Sequence, residues 1–248
     1  MEGKHILFWA AAVGFLPVLV IRAKPHVSIP YKILFTDSAK VQEEIVSVHN
    51  NFRRKVIPQA SNMLKMNWSK HAALNAKNLT SQCDPTESNP LERRITNGFC
   101  GENLQWTSYP ISWSDVIGIW YNESKYFTFG VWLPKDEVTD HYTQVVWATS
   151  YLIGCCFSLC SRKRTNYYFY MCHYCHEGND PNTIITPYNM GIPCGDCPDS
   201  CEDKLCTNPC PYADEVINCK EQIKTLGCKH KSIELLCKAS CLCKTEVK

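Results

Sequence analysis

The chain has 248 residues, 17 of them cysteine, with 26 lysines and arginines against 24 aspartates and glutamates. A net charge of +2 sets up no strong field, which argues against nucleic acid as a partner. Ten cysteines fall in the last 55 residues, where few apolar side chains exist to build a core. Disulfides must hold that segment together, and they require an oxidising compartment.

At the N-terminus Lys4 precedes an apolar run from Ile6 to Val20, and Ala23 supplies a small residue for cleavage. This pattern predicts a secretory signal peptide over residues 1–23. The run falls short of the ~20 residues a membrane span needs, and Pro17 interrupts it. Cleavage removes two of the 26 basic and one of the 24 acidic residues, so the mature chain keeps a charge of +1. No later run approaches that length, so the mature chain is not expected to be an integral membrane protein. Sequons at Asn67, Asn78 and Asn122 are candidate glycosylation sites.

Residues 24–40 form a lead-in containing Pro25 and Pro30, expected to be unstructured to about residue 38. Val41, Ile45, Val48, Phe52 and Val56 recur at helical spacing until Pro58 stops them. Ser69 is placed to cap a second helix with a face of Ala72, Ala73, Ala76 and Leu79. A third helix starts near Ser112 and carries Trp113, Val116, Ile117 and Trp120 on one side, a stripe read as core. A short helical stretch is predicted at 140–147. Runs rich in β-prone residues follow at 151–160 and 167–175, joined by the polar segment 161–166, which predicts a hairpin with Cys155 opposite Cys172. Helices combined with a late antiparallel pair predict an α/β layered domain. Residues 178–193 read as loop, and the cysteine-rich tail lies beyond.

Two segments carry more than pattern. Asp140-His141-Tyr142-Thr143-Gln144-Val145-Val146-Trp147 and Phe169-Tyr170-Met171-Cys172-His173-Tyr174-Cys175-His176-Glu177-Gly178-Asn179 resemble the signature motifs of the CAP superfamily. That superfamily takes in the cysteine-rich secretory, antigen-5 and pathogenesis-related proteins. His49-Asn50 followed by Arg53, and Cys100-Gly101-Glu102-Asn103-Leu104, match two further motifs. The tail resembles the C-terminal region of the cysteine-rich secretory proteins. The resemblance runs from about residue 40 to the end and points to the mammalian epididymal, sperm-coating branch.

The resemblance implies an α-β-α sandwich over 41–180, a disulfide hinge over 190–208 and a small, mainly helical, toxin-like (ShKT-type) module of six cysteines over 210–243. It implies the pairs Cys83–Cys160, Cys100–Cys175 and Cys155–Cys172 in the sandwich, and Cys194–Cys201 and Cys197–Cys206 in the hinge. For the last module it implies Cys210–Cys243, Cys219–Cys237 and Cys228–Cys241. Cys156 departs from this sixteen-cysteine pattern and is expected to be a buried free thiol, facing the side of the strand opposite to Cys155. Because no implied bridge crosses from the tail to the sandwich, a fragment starting near Gly191 is expected to fold alone.

The family's large domain carries a cleft lined by two histidines and two glutamates. Glu102, Glu123 and His141 match three of these positions, and Glu87 stands where the other histidine is expected. One imidazole among three carboxylates makes a weak zinc site, with His141 as its ligand, and no cofactor is required. Gln144, three residues after His141, is expected to hydrogen-bond within the same cluster. Three readings of the cluster stay open: a self-satisfying polar network, a metal site, and a hydrolytic site using His141 and Glu102. His49 and Arg53 share a helix face and are expected to be structural, with Arg53 pairing an acid or a carbonyl. The Cys194-x-x-Cys197 spacing would suggest zinc in a reducing compartment but reads as disulfide here.

The last module resembles sea-anemone potassium-channel toxins in its cysteine spacing, yet Ser232-Ile233-Glu234 offers no lysine–aromatic pair. The implied function is that of a secreted, non-enzymatic epididymal glycoprotein in male-tract fluid, bound to sperm. Roles in sperm maturation and sperm–egg interaction, and regulation of an ion channel through the module, are implied as well. Implied partners are sperm or egg surface proteins or a channel, with possible lipid contact. A metal-assisted hydrolase and a sterol or lipid carrier are the alternatives.

Overall fold

The computed structural model describes residues 29–248 apart from 97, 133–137, 163, 177 and 217 and the side chain of Arg162. The expected signal peptide lies outside the described residues. Within the described residues, no helix is long and apolar enough to cross a membrane.

The first described element is a 3-10 turn, Tyr31–Leu34. It corrects the expectation of an unstructured lead-in. Leu34 is buried and its carbonyl accepts from Trp113 Nε1 at 2.9 Å, so the segment is pinned to the core rather than hanging free. Helix α1 spans Ala39–Arg53 and buries Val41, Ile45, His49 and Arg53 along one stripe. A short strand β1, Asn67–Trp68, leads into α2, Lys70–Thr80, whose first turn is capped by Ser69 Oγ accepting from the amide of Ala72. Strand β2, Cys100–Thr107, follows, then α3, Trp113–Tyr121, capped by Ser112. Helix α4 is one and a half turns, Asp140–Val145. Strands β3, Leu152–Arg162, and β4, Thr165–Cys175, form a hairpin. They extend into the segment read as a connecting loop, and Arg162 pairs with Thr165 at the turn.

The sheet order is β1-β3-β4-β2, with β1 parallel to β3 and the other pairs antiparallel. Alternation along the strands sends their side chains to two cores. Ile153, Cys155, Phe157, Tyr170, Cys172 and Tyr174 face α1, α3 and α4 and pack with Ile45, Trp113 and Trp120. Cys156, Phe169 and Met171 face α2 and pack with Ala76 and Leu79. The layers are therefore α2, sheet, and the α1–α3–α4 group, an α-β-α sandwich. Gly154 makes the close approach of α2 possible: a Cβ there would overlap the backbone of Ala72 and Ala73.

Three disulfides tie the sandwich, Cys83–Cys160, Cys100–Cys175 and Cys155–Cys172. Cys194–Cys201 and Cys197–Cys206 close the next segment around a minimal hairpin of β5, Cys201–Glu202, and β6, Leu205–Cys206. The last module packs α5, Cys219–Leu226, α6, Lys231–Leu236, and α7, Lys238–Leu242, around Ile233 and the bridges Cys210–Cys243, Cys219–Cys237 and Cys228–Cys241. Cys156 is buried and unbridged.

The hinge is not free-standing. The amide of Asp196 donates to Ser61 O, that of Lys65 to Cys206 O, and that of Cys206 to Met63 O. Leu205 is fully buried in the sandwich core. Val247, near the C-terminus, packs with Leu64 and the hinge cysteines, and its amide donates to Asn208 O. No disulfide crosses from the tail to the sandwich, and backbone hydrogen bonds and a buried leucine join the two in the full chain.

Candidate functional site

Strand β2 is a sheet edge, and Glu102 on it stands in register with His173 of β4. Its side chain is fully buried. Glu102 Oε1 accepts from the amide of Ser88 at 3.0 Å and Oε2 from Ser88 Oγ at 2.8 Å, while His173 Nε2 lies 3.0 Å from Oε2. Burial works against ionisation of Glu102, but hydrogen bonds from His173 and Ser88 outweigh it and hold the carboxyl below its ordinary pKa. Both oxygens are committed to donors inside the protein.

Glu87 does not join that arrangement as a ligand. Its carboxylate is largely exposed and lies 3.1 Å from Nη1 of the buried Arg93, which also lies 3.9 Å from Glu102. His141 and Glu123 form a separate pair. His141 Nδ1 is 2.7 Å from Glu123 Oε1, and Glu123 Oε2 accepts from the amide of Tyr142 at 3.1 Å. The His141 ring lies parallel to that of Trp120, 6.3 Å away. Gln144 is buried between Gly101 and Gly178, where a Cβ on either glycine would overlap its amide.

The five residues expected to form one cluster are therefore divided. Glu87, Glu102 and Gln144 line a pocket of about 460 Å³ together with Arg93, Phe99 and Asn179. His141 of α4 pairs with Glu123 of the 3-10 turn Asn122–Lys125. Among the described residues, one set of three His, Cys, Asp or Glu donor atoms lies within 4.8 Å of one another, that of Cys194, Cys197 and Cys206. Those sulfurs are all in disulfides. The one-imidazole, three-carboxylate metal set is not formed, because Glu102 turns to His173 and Glu87 turns to Arg93.

A buried hydrogen-bond chain supports the site from behind. His49 Nδ1 donates to Ile45 O at 2.8 Å, and Nε2 accepts from the Tyr174 hydroxyl at 2.9 Å. Asn103 Nδ2 reaches the Tyr174 oxygen at 3.3 Å and the His141 carbonyl at 3.1 Å. Burial, with Arg53 nearby, pushes His49 down to a pKa of about 3, so it is a neutral linker. Arg53 donates five hydrogen bonds to the carbonyls of Leu64, Val145, Trp147 and Ala148, and burial lowers its pKa to about 9. Sequence reasoning missed His173, Ser88, Arg93 and Asn103. Reading residues 100–107 as a strand paired to 167–175 would have placed His173 opposite Glu102.

Asn67, Asn78 and Asn122 are all exposed. Ser69, the hydroxyl residue of the first sequon, also caps α2.

A family model described as "Cysteine-rich secretory protein family" matches residues 46–174, and one described as "Crisp" matches 194–248. The chain is 57% identical to cysteine-rich secretory protein 1 of Macaca mulatta, covering 100% of both chains. It is 45% identical to cysteine-rich secretory protein 1 of Mus musculus, covering 98% of each. It is also 47% identical to cysteine-rich secretory protein 3 of Homo sapiens, over 88% of this chain and 89% of that one. The crystal structure of Na-ASP-1 superposes with a TM-score of 0.58 at 27% identity over 67% of this chain; the chain spans 47% of that structure. NaASP2 with Zn2+ superposes at 0.55 over 68% of this chain and 96% of that one; at 24% identity it shares the fold.

Proposed function

The chain belongs to the cysteine-rich secretory protein family, and from that premise we propose that it is a secreted, non-enzymatic glycoprotein that acts by binding the sperm surface. The observation that carries the non-enzymatic reading is that Glu102 is turned to Ser88 and His173 inside the protein while His141 pairs with Glu123 instead. A general base needs a lone pair directed at a substrate proton. Both oxygens of Glu102 accept from Ser88 and His173, and both oxygens of Glu123 are taken by His141 and the Tyr142 amide. Such a network holds the cleft walls in place, and the hydrolysis assay below tests whether His141, oriented by Glu123, also acts as a base. Eight disulfides fit an extracellular setting, since these bonds persist outside the reducing cytosol. Roles in sperm maturation and sperm–egg interaction, and modulation of a channel by the 210–243 module, belong to the same reading.

The test is direct binding of the purified, fluorescently labelled protein to sperm recovered from the epididymis. Saturable binding displaced by unlabelled protein is the expected result. Non-saturable background, or hydrolysis of peptide or ester substrates that a chelator abolishes, would contradict the proposal.

A further inference from the structure

The charge of the tail is divided in two. Residues 194–218 carry Asp196, Asp199, Glu202, Asp203, Asp214 and Glu215 against Lys204 alone. Residues 219–248 carry seven lysines against Glu221, Glu234 and Glu246. Docking of the hinge on the sandwich uses the acidic half. Glu202 lies 2.5 Å from Lys65 Nζ, and Asp203 lies 2.7 Å from Arg54 Nε. In the basic half, among the described residues, no lysine of 219–248 forms a close ion pair, and only Lys248 acts on a carboxylate, that of Glu246.

Part of this unpaired charge is gathered at one tip. Helix α5 ends at Leu226, Gly227 turns the chain with φ of 75°, and α6 begins at Lys231. Lys224, Lys229, His230 and Lys231 are all exposed there. No acidic residue occurs between Glu221 and Glu234. Two leucines accompany them in the open. Leu226 is 50% exposed at the turn, and Leu235, 62% exposed, follows Lys231 by one helical turn on the same face of α6. The tip is held rigid, since Cys228 is bridged to Cys241 of α7 and the Gly227 amide donates to Ile223 O.

We propose that this tip, Lys224, Leu226, Lys229, Lys231 and Leu235, is a docking surface for a lipid membrane bearing anionic headgroups. The pairing of cations with exposed apolar side chains decides the partner. Lysines alone would serve any polyanion, including a sulfated glycan, but exposed leucines gain free energy by entering the boundary between headgroups and acyl chains. A preformed, disulfide-locked tip also loses little entropy on docking. The inference does not depend on sperm being the target cell.

The experiment is flotation of the full-length mature protein with phosphatidylcholine vesicles, alone or mixed with phosphatidylglycerol, at low and high salt. Binding to the mixed vesicles, weakened by salt, and none to phosphatidylcholine alone is expected. The triple variant Lys224→Ala, Lys229→Ala, Lys231→Ala should weaken partitioning about 100-fold. The variant Leu226→Ser, Leu235→Ser should weaken it about 10-fold while leaving the salt dependence intact. A control triple, Lys40→Ala, Lys70→Ala, Lys125→Ala, makes the same change in net charge on the sandwich and should leave binding unchanged. All substituted positions are exposed, and intact mass with and without reduction verifies eight disulfides in each variant. Equal losses in the control, binding that ignores the leucines, or retention on immobilised heparin without vesicle binding would each overturn the proposal.

Discussion

His49 sits between Ile45 O and the Tyr174 hydroxyl with no exposed surface, one helical turn from the buried cation of Arg53. Charging it would bury a second cation without a counterion, which is why its pKa lies at about 3 rather than 6.5. The folded value is below the unfolded one, so between these pH values the unfolded chain binds the proton and the folded chain does not. Stability is therefore fully present above pH 6.5 and is lost as pH falls toward 3, at up to about 1.4 kcal/mol per pH unit. Below about 4.5 Glu102 adds to the loss, because its carboxyl is held below the ordinary value in the folded state. The window from 6.5 to 4.5 thus reports on His49 together with His176, whose imidazole burial also holds below its ordinary value. Guanidinium unfolding of the disulfide-intact protein across that window should show a steep acid slope, and His49→Gln should flatten it. An unchanged slope in the variant would place the titrating group elsewhere.

At the scale of elements, Arg53 is the joint between helix α1, the loop ahead of β1 and the end of α4. Its guanidinium fork satisfies the carbonyls of Leu64, Val145, Trp147 and Ala148, none of which has to find water inside the core. Arg53→Met keeps the stem's volume but removes the donors of the buried Leu64 and Val145 carbonyls, while those of Trp147 and Ala148 keep the amides of Ser150 and Leu64. It is expected to destabilise by about 3–5 kcal/mol, read as a lower denaturation midpoint. Arg53→Lys should recover only a small part, because an ammonium cannot reproduce the fork. The helices around this joint were legible in the sequence: α1, α2 and α3 each show a helical apolar period, and Ser69 and Ser112 mark two of their starts. Strand β2 was not legible. Cys100–Thr107 carries Gly101, Glu102 and Asn103 where alternation should appear, because its polar residues face partners inside the protein rather than water. The 3-10 turn at Tyr31–Leu34 was missed for a related reason, since its stability comes from Trp113, 79 residues away. His173 was missed because its role is set by strand register, a long-range property.

For the whole molecule, the proposed function makes the cleft a scaffold and assigns activity to the surface. The candidate site illustrates the limit of motif reading: Glu102, Glu123 and His141 are where motifs place them in sequence, yet hydrogen bonds to Ser88, His173 and the Tyr142 amide divide them into two groups. Only side-chain direction, which packing decides, distinguishes a scaffold from a reactive centre. The tail behaves in the opposite way. Its cysteines mark a separate module, but Leu205 and Val247 bind it into the rest of the protein. The most direct measurement is sperm binding by the double variant Glu102→Gln, His141→Gln, which preserves approximate side-chain volume and removes the ionisable groups. Circular dichroism and the disulfide count first establish that it folds. Affinity within a few-fold of the unsubstituted protein is the predicted result, whereas a normally folded variant that has lost sperm binding would contradict the account and assign the activity to the cleft.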